Sequence, residues 1–283
     1  MVTRLLIGVL LAASLMAQPK RIVSTAPSLT EMLYALGLGD RVVGVTTFCH
    51  YPLEATRKPK IGNYLRPDVE AILALRPDLV VAEKSMIRQA MSLPRLKLKV
   101  LEVDDATIPG ICESLRTIGR AAGVEAKAES LSAGILSDLE EIRRRTSRLG
   151  RPRVMFVVGR TPGRIEDLIA AGGASYLDEL FQIAGGENIF RSAATAYPKV
   201  SLEEVLARDP EVIIDMGEMA QTVGVTERDK RAVAALWKNF PSLAAVKRNR
   251  VHPVASDIFV VPGPRVVEAA RQIAAMLHPE INP

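Results

Sequence analysis

Histidine, cysteine and tryptophan are scarce in this chain, which has three, two and one of them among 283 residues. His50, His252 and His278 form no paired-ligand motif such as HExxH, so a receptor organised around a metal is disfavoured and no resident cofactor is expected. His278, beside Pro279 at the end of the closing helical pattern, is expected at the surface. Catalytic signatures are missing too. There is no GxSxG elbow, no GxxxxGK(S/T) phosphate loop and no GxGxxG turn after a strand pattern. Cys49 and His50 are neighbours, but adjacent residues of an extended chain point to opposite faces, a poor geometry for a nucleophile and its base. Aromatics come to only 4% and the basic residues are scattered, which gives no footing for a nucleic-acid partner.

What is present is ordinary globular composition, 48% hydrophobic and 24% charged with a formal net charge of +5. The length suits one large domain or two of usual size. The densest basic run, Arg143-Arg144-Arg145, closes a long helical pattern, where cations suit the dipole and stay solvated. The first 17 residues, MVTRLLIGVLLAASLMA, have one cation, an apolar run and a small-residue zone before Gln18. That order is a signal peptide, cut after Ala17; as a retained anchor it is short of the ~20 residues that span a bilayer. No cysteine stands near the cut, so a lipidated N-terminus is not expected, and the mature chain is read as exported and soluble. In an oxidising compartment Cys49 and Cys112 either pair as one disulfide or remain two buried thiols.

Short β runs alternate with helical patterns through the mature chain, which predicts α/β layers on largely parallel sheets. Ser28 and Ser175 are read as N-caps of two helices that open corresponding halves. A longer echo joins the halves: YLRPDVEAILALRPDLVV returns as YPKVSLEEVLARDPEVII, with Tyr64 and Tyr197, Glu70 and Glu203, and Pro77 and Pro210 each 133 positions apart. Two similar lobes follow, residues 18–123 and 151–283. Residues 124–150 lack proline and carry Ala128, Leu131, Ile135, Leu139 and Ile142 at helical spacing, predicting one connecting helix of about 40 Å. Lobes joined this way leave a cleft between them, the usual place for a ligand.

Ligands of parallel sheets collect beyond the carboxyl ends of strands. The residues that follow strand patterns here are Phe48, Tyr51, Gly159, Arg160, Asp257 and Phe259, while Tyr64 and Tyr197 precede the two repeated helices. All eight are candidate ligand contacts. An exported α/β enzyme using Asp257, Arg160 or His50 at the same cleft is a rival reading, as is a sensor or interaction module, but nothing in the sequence pairs a base with a nucleophile.

The stretches RIVSTAPSLTEMLYALGLGDRVVGVTTFCHYP, IGNYLRPDVEAILALRPDLVVA, AGGENIF and YPKVSLEEVLARDPEVII resemble periplasmic solute-binding proteins for cobalamin and iron-siderophore import, nearest to the cobalamin-binding group. The likeness covers nearly all the mature chain. It implies a class III, helical-backbone architecture: two Rossmann-like α/β lobes joined by one long helix, closing little around the ligand. The implied protein is a non-catalytic monomer, periplasmic or otherwise exported, that carries cobalamin or another corrinoid as transported ligand to an ABC permease dimer with its ATPase subunits. It meets the membrane only through that permease. An iron-siderophore or haem-like ligand is the alternative. The resemblance assigns Glu70 and Glu203 to arginines on the permease, and it adds Pro27 to Phe48, Tyr51 and Gly159 as contact positions. Tyr64 and Tyr197 stand where those receptors have tryptophans. Asp257 matches an acidic ligand contact, but the arginine expected shortly after it is replaced at Val261.

Overall fold

The structure is a computed structural model, and it describes residues 18–63, 66–84, 98–217 and 225–281. The leader, Tyr64 and the helical pattern expected around Met86 to Leu93 lie outside them. In the first lobe the order is β1 (Ile22–Ser24), α1 (Pro27–Ala35), β2 (Val42–Gly44), α2 (Val69–Ala74), β3 (Leu79–Glu83), β4 (Val100–Val103) and α3 (Ile108–Ala122). The four strands are all parallel in the order β2-β1-β3-β4. Helices cover both faces of such a sheet, so its central strands read as unbroken apolar runs; residues 79–82 are all buried. Local chemistry sets the helix ends. Asp68 accepts from the Ala71 amide, Thr107 accepts from the Gly110 amide, and Gly123 closes α3 in the left-handed region at φ 73°. Ser28 is not a cap: α1 starts two residues earlier than that reading implies, with Ala26 as N-cap and Pro27 in the first turn. Proline has no N–H to lose there, which moves the boundary forward.

Helix α4 (Glu125–Thr146) then crosses to the second lobe. There the order is β5 (Arg153–Gly159), β6 (Leu168–Ala170), α5 (Tyr176–Ile183), β7 (Glu187–Asn188), β8 (Lys199–Val200), α6 (Leu202–Arg208), β9 (Val212–Asp215), α7 (Glu227–Trp237), β10 (Val251–Pro253) and α8 (Val266–Leu277). The sheet runs β10-β9-β5-β6-β8, with β7 also on β5. Strands β10, β9, β5 and β7 are parallel, whereas β6 and β8 pair antiparallel, a departure from the largely parallel expectation confined to one side. Ser175 and Ser201 cap α5 and α6 through the amides of Asp178 and Glu204.

Helix α4 packs on α3 in the first lobe and on α5 and α8 in the second. Its 22 residues give it about 33 Å, and it buries Ala128, Ser132, Ile135, Leu139, Ile142 and Thr146. Leu131, expected in that stripe, is only partly buried. Ser132 is fully buried instead, because its hydroxyl donates to the Cys112 carbonyl at 3.2 Å. At the other end the Thr146 hydroxyl donates to the Ile183 carbonyl at 2.9 Å. Arg143 and Arg144 remain exposed and pair with Glu140 and Glu141. One apolar cluster runs continuously from Ile22 and Leu29 through Ile135 and Leu139 to Phe156 and Ile273.

One open alternative is decided here and one expectation is corrected. Cys49 and Cys112 form no disulfide; both are free and buried. The Cys49 sulfur lies 3.2 Å from the hydroxyls of Thr30 and of Thr46, while Cys112 faces α4 with its sulfur 3.9 Å from the Ser132 carbonyl. Polar partners on separate elements hold each thiol. His278 is 2% exposed rather than on the surface, and its ring fills the space beside Gly185, where an added Cβ would come within 2.8 Å of Nε2. Among the described residues no helix is long and apolar enough to cross a membrane.

The closeness of α3 and α4 is testable at Gly119, where a Cβ would lie 2.4 Å from that of Ala128. Gly119→Ala gains about 1 kcal/mol of helix propensity but overpacks the contact at about 1–3 kcal/mol. The expected result is a net loss of about 1 kcal/mol in urea unfolding, recovered in the double variant with Ala128→Gly.

Candidate ligand-binding cleft

The carboxyl ends of β3 and β4 face the second lobe across a cavity of about 400 Å³. The first lobe contributes Glu83 at the end of β3, Lys84 after it, and Asp104 and Asp105 after β4; the second contributes Ser175 and Tyr176 at the start of α5, and Tyr197. Parallel strands end together on one edge, so residues distant in sequence meet there. Tyr197 is 44% exposed, and the Tyr176 hydroxyl donates to the Phe259 carbonyl at 2.5 Å. Asp105 is only 6% exposed, and burial pushes its carboxyl up to about 6 against the opposing hydrogen bond from Ser28. The Ser28 hydroxyl also lies 3.4 Å from Glu83 Oε1, so the first turn of α1 closes this end of the cavity.

A second group bridges the lobes. Arg265 in front of α8 donates from Nε to Glu31 Oε2 at 2.9 Å, from Nη2 to Glu31 Oε1, and from Nη1 to Asp257 Oδ1 at 3.0 Å. Its guanidinium also covers the Tyr51 ring at 4.0 Å from the centroid, a cation–π contact. Glu31 belongs to α1, so first-lobe Glu31 and Tyr51 close on second-lobe Arg265 and Asp257. Gly263 allows the approach, since a Cβ there would meet Glu31 Oε2 at 3.1 Å. Burial drives the Glu31 carboxyl up to about 7, more than its bonds to Arg265 pull it down. Burial alone disfavours the Arg265 cation, yet its bonds to Glu31 and Asp257 outweigh that and hold it charged.

The candidate contacts separate into groups. Tyr51 and Asp257 meet through Arg265, and Tyr197 lines the cavity. Phe48 is 40% exposed, Pro27 is half-buried in the first turn of α1, and Gly159 is half-buried at the end of β5. Two expectations fail. Phe259 is fully buried, its ring 5.6 Å from that of Phe156, because the 3-10 turn Asp257–Phe259 turns it away from Asp257 into the core. Arg160 is also buried: Nε donates to Asp215 Oδ2 at 3.1 Å and Nη1 to the carbonyls of Thr161 and Arg164, both at 3.2 Å. Asp215 also accepts from Trp237 Nε1 at 2.6 Å and the Gly217 amide at 2.7 Å. Buried charge needs a partner, and here the partner is inside the lobe.

Sequence reading missed Glu31 and Arg265. Arg265 takes over the pairing that Val261 lacks, eight residues after Asp257. One signal was present: a cation at the N-cap of α8 opposes the helix dipole, a local inconsistency that points to a tertiary partner. Among the described residues no three His, Cys, Asp or Glu gather to hold a metal ion.

A two-lobed α/β receptor with a ligand cleft between sheets joined by one long helix is the class that this geometry defines. The chain belongs to the periplasmic binding protein family, matched over residues 22–256, and is therefore a binding protein and not an enzyme. It is 32% identical over 271 residues to the uncharacterized ABC transporter substrate-binding lipoprotein YvrC of Bacillus subtilis, covering 93% of this chain and 81% of that one. It is 30% identical over 259 residues to the vitamin B12-binding protein of Salmonella typhimurium, covering 91% and 90%. The crystal structure of the periplasmic vitamin B12 binding protein BtuF of Vibrio cholerae superposes with a TM-score of 0.77 at 25% identity, covering 92% of this chain and 96% of that one.

The buried bridge gives a pH dependence with a definite sign. Because the folded Glu31 carboxyl is raised to about 7 from 4.5, its contribution to stability is full below 4.5 and is lost as pH climbs through 7. Glu31→Gln removes that slope. Relative to the variant, the wild type is expected to lose on the order of 3 kcal/mol between these limits in denaturant unfolding across pH.

Proposed function

We propose that this protein is an exported receptor that captures cobalamin or a related corrinoid between its lobes and presents it to an ABC permease. The observation that carries this reading is the cavity of about 400 Å³ walled by both lobes, with Tyr197 on it. Its relatives include vitamin B12-binding proteins similar over about nine-tenths of both chains. Exposed Phe48 and Tyr51 add aromatic faces suited to a large planar ligand, which buries more area on rings than on aliphatic side chains. The receptor acts as a monomer, freed from residues 1–17 by signal-peptide cleavage.

Glu70 and Glu203 are the docking contacts in this proposal. Both are exposed in the first turn of their helices, behind the caps Asp68 and Ser201. The Glu203 carboxyl is held below its ordinary value by hydrogen bonds from its own amide and from Ser201, so it stays charged at an acidic surface. Exposed carboxylates on each lobe fit a permease dimer that offers one cationic site per subunit. Charges at such a rim govern encounter and orientation, so docking is salt-sensitive.

Calorimetric titration with cyanocobalamin should give saturable one-to-one binding. Absence of binding removes the corrinoid reading, and saturable binding of haemin in its place transfers the assignment to a haem-like ligand. The double variant Glu70→Arg with Glu203→Arg should keep wild-type affinity for cyanocobalamin and lose most permease-dependent uptake in vesicles; undiminished uptake rules out the docking role.

A further inference from the structure

The 133-residue echo carries a second exposed feature besides its glutamates. Leu73 is 40% exposed and Leu206 37%, and among the described residues they are the one pair of exposed large apolar side chains at that offset. Residues i, i+3 and i+4 of a helix share a face, so Leu73 and Ala74 on α2 lie beside Glu70, and Leu206 and Ala207 on α6 lie beside Glu203. All six are exposed, while Ile72 and Val205 turn away into apolar clusters of their own lobes. The corners that follow match as well: Arg76 and Asp209 both take φ 43°, and β3 and β9 begin at Leu79 and Val212, again 133 apart. Each stripe is thus set in the same way against the strand that follows it. Neighbouring positions differ in chemistry, Ala71 against Glu204 and Leu75 against Arg208, so shared packing does not dictate the likeness of the stripes. A single exposed leucine is ordinary, but a matched pair beside matched carboxylates, on lobes whose sheets differ, calls for a partner.

We propose that Glu70, Leu73 and Ala74 in the first lobe and Glu203, Leu206 and Ala207 in the second form two equivalent amphipathic docking units, and that a two-fold-symmetric permease dimer offers each of them an apolar hollow beside a cation. The inference rests on the docking reading above and deepens it to the chemistry of the partner's surface. Two like units on one chain match two identical subunits, and a carboxylate in each unit calls for a cation opposite. Charges at the rim steer and orient the encounter, whereas apolar side chains removed from water hold the complex once it has formed. The division is kinetic: the glutamates act mainly on association and the leucines on dissociation.

The test is the binding kinetics of the intact receptor on the permease that draws ligand from it, held with its ATPase subunits in nanodiscs, at several salt concentrations. Leu73→Ser with Leu206→Ser should stay folded, because both side chains are exposed, and should weaken the complex at least about tenfold through faster dissociation, with the salt dependence unchanged. Each single variant should supply part of that loss. Glu70→Arg with Glu203→Arg should instead slow association and flatten the salt dependence. Ala74→Gln with Ala207→Gln, which keeps a good helix former and crowds the stripe, should also speed dissociation and decides the matter if the leucine variant does not fold. Wild-type dissociation in the folded leucine and alanine variants overturns the apolar unit and leaves the glutamate docking role standing. Leucine-dependent dimerisation of the receptor in sedimentation also overturns it, since the stripes then serve a second copy of this chain. A wild-type receptor that does not bind the permease removes the docking reading and this inference together.

Discussion

Helix α4 is fastened by side chains to both halves of the molecule. Near its start Ser132 donates to the Cys112 carbonyl, at its end Thr146 donates to the Ile183 carbonyl, and Ile135 and Leu139 lie buried between them. An α-helix resists bending far more than a loop does, so these contacts fix the distance between two sheets that share no strand. The apolar cluster is continuous through it, and each lobe therefore depends on the other for part of its burial. The cleft exists because the helix holds the sheets side by side without letting their carboxyl ends meet.

The second link runs from Glu31 in the first lobe to Arg265 in the second. Together the helix and this ion pair tie the lobes at two places, which leaves little freedom for a wide hinge and fits the modest closure implied by family resemblance. The arrangement has a chemical by-product. Arg160 and Arg265 are each turned to a carboxylate of their own protein rather than to the cavity.

Much of this architecture was legible in local chemistry. Ser175 caps its helix where the sequence pattern begins it, and the paired echo around Glu70 and Glu203 marks two helices exposed in the same way. The departures all involve partners remote in sequence. Whether Arg160 faces the ligand or the core depends on Asp215 and Trp237, 55 and 22 positions away along successive links. Glu31 and Arg265 are 234 residues apart, beyond the reach of any spacing rule. Phe259 was misread because the turn around it is a tight 3-10 helix rather than extended chain, so strand alternation did not apply. Of the candidate contacts, aromatic type and strand-end position were readable, but side-chain direction was not.

The carboxylate of Asp215 receives the Arg160 guanidinium, the Trp237 indole and the Gly217 amide at once. Three segments of the second lobe thus answer to one acceptor, and neither the Arg160 nor the Trp237 side chain is replaceable alone without leaving Asp215 short of a donor. Over evolutionary drift such a knot behaves as a single character. The lobe can vary freely along its surface helices, but its ligand-facing strand ends can be remodelled only where the knot is left whole, which channels new ligand preferences toward the loops that surround it.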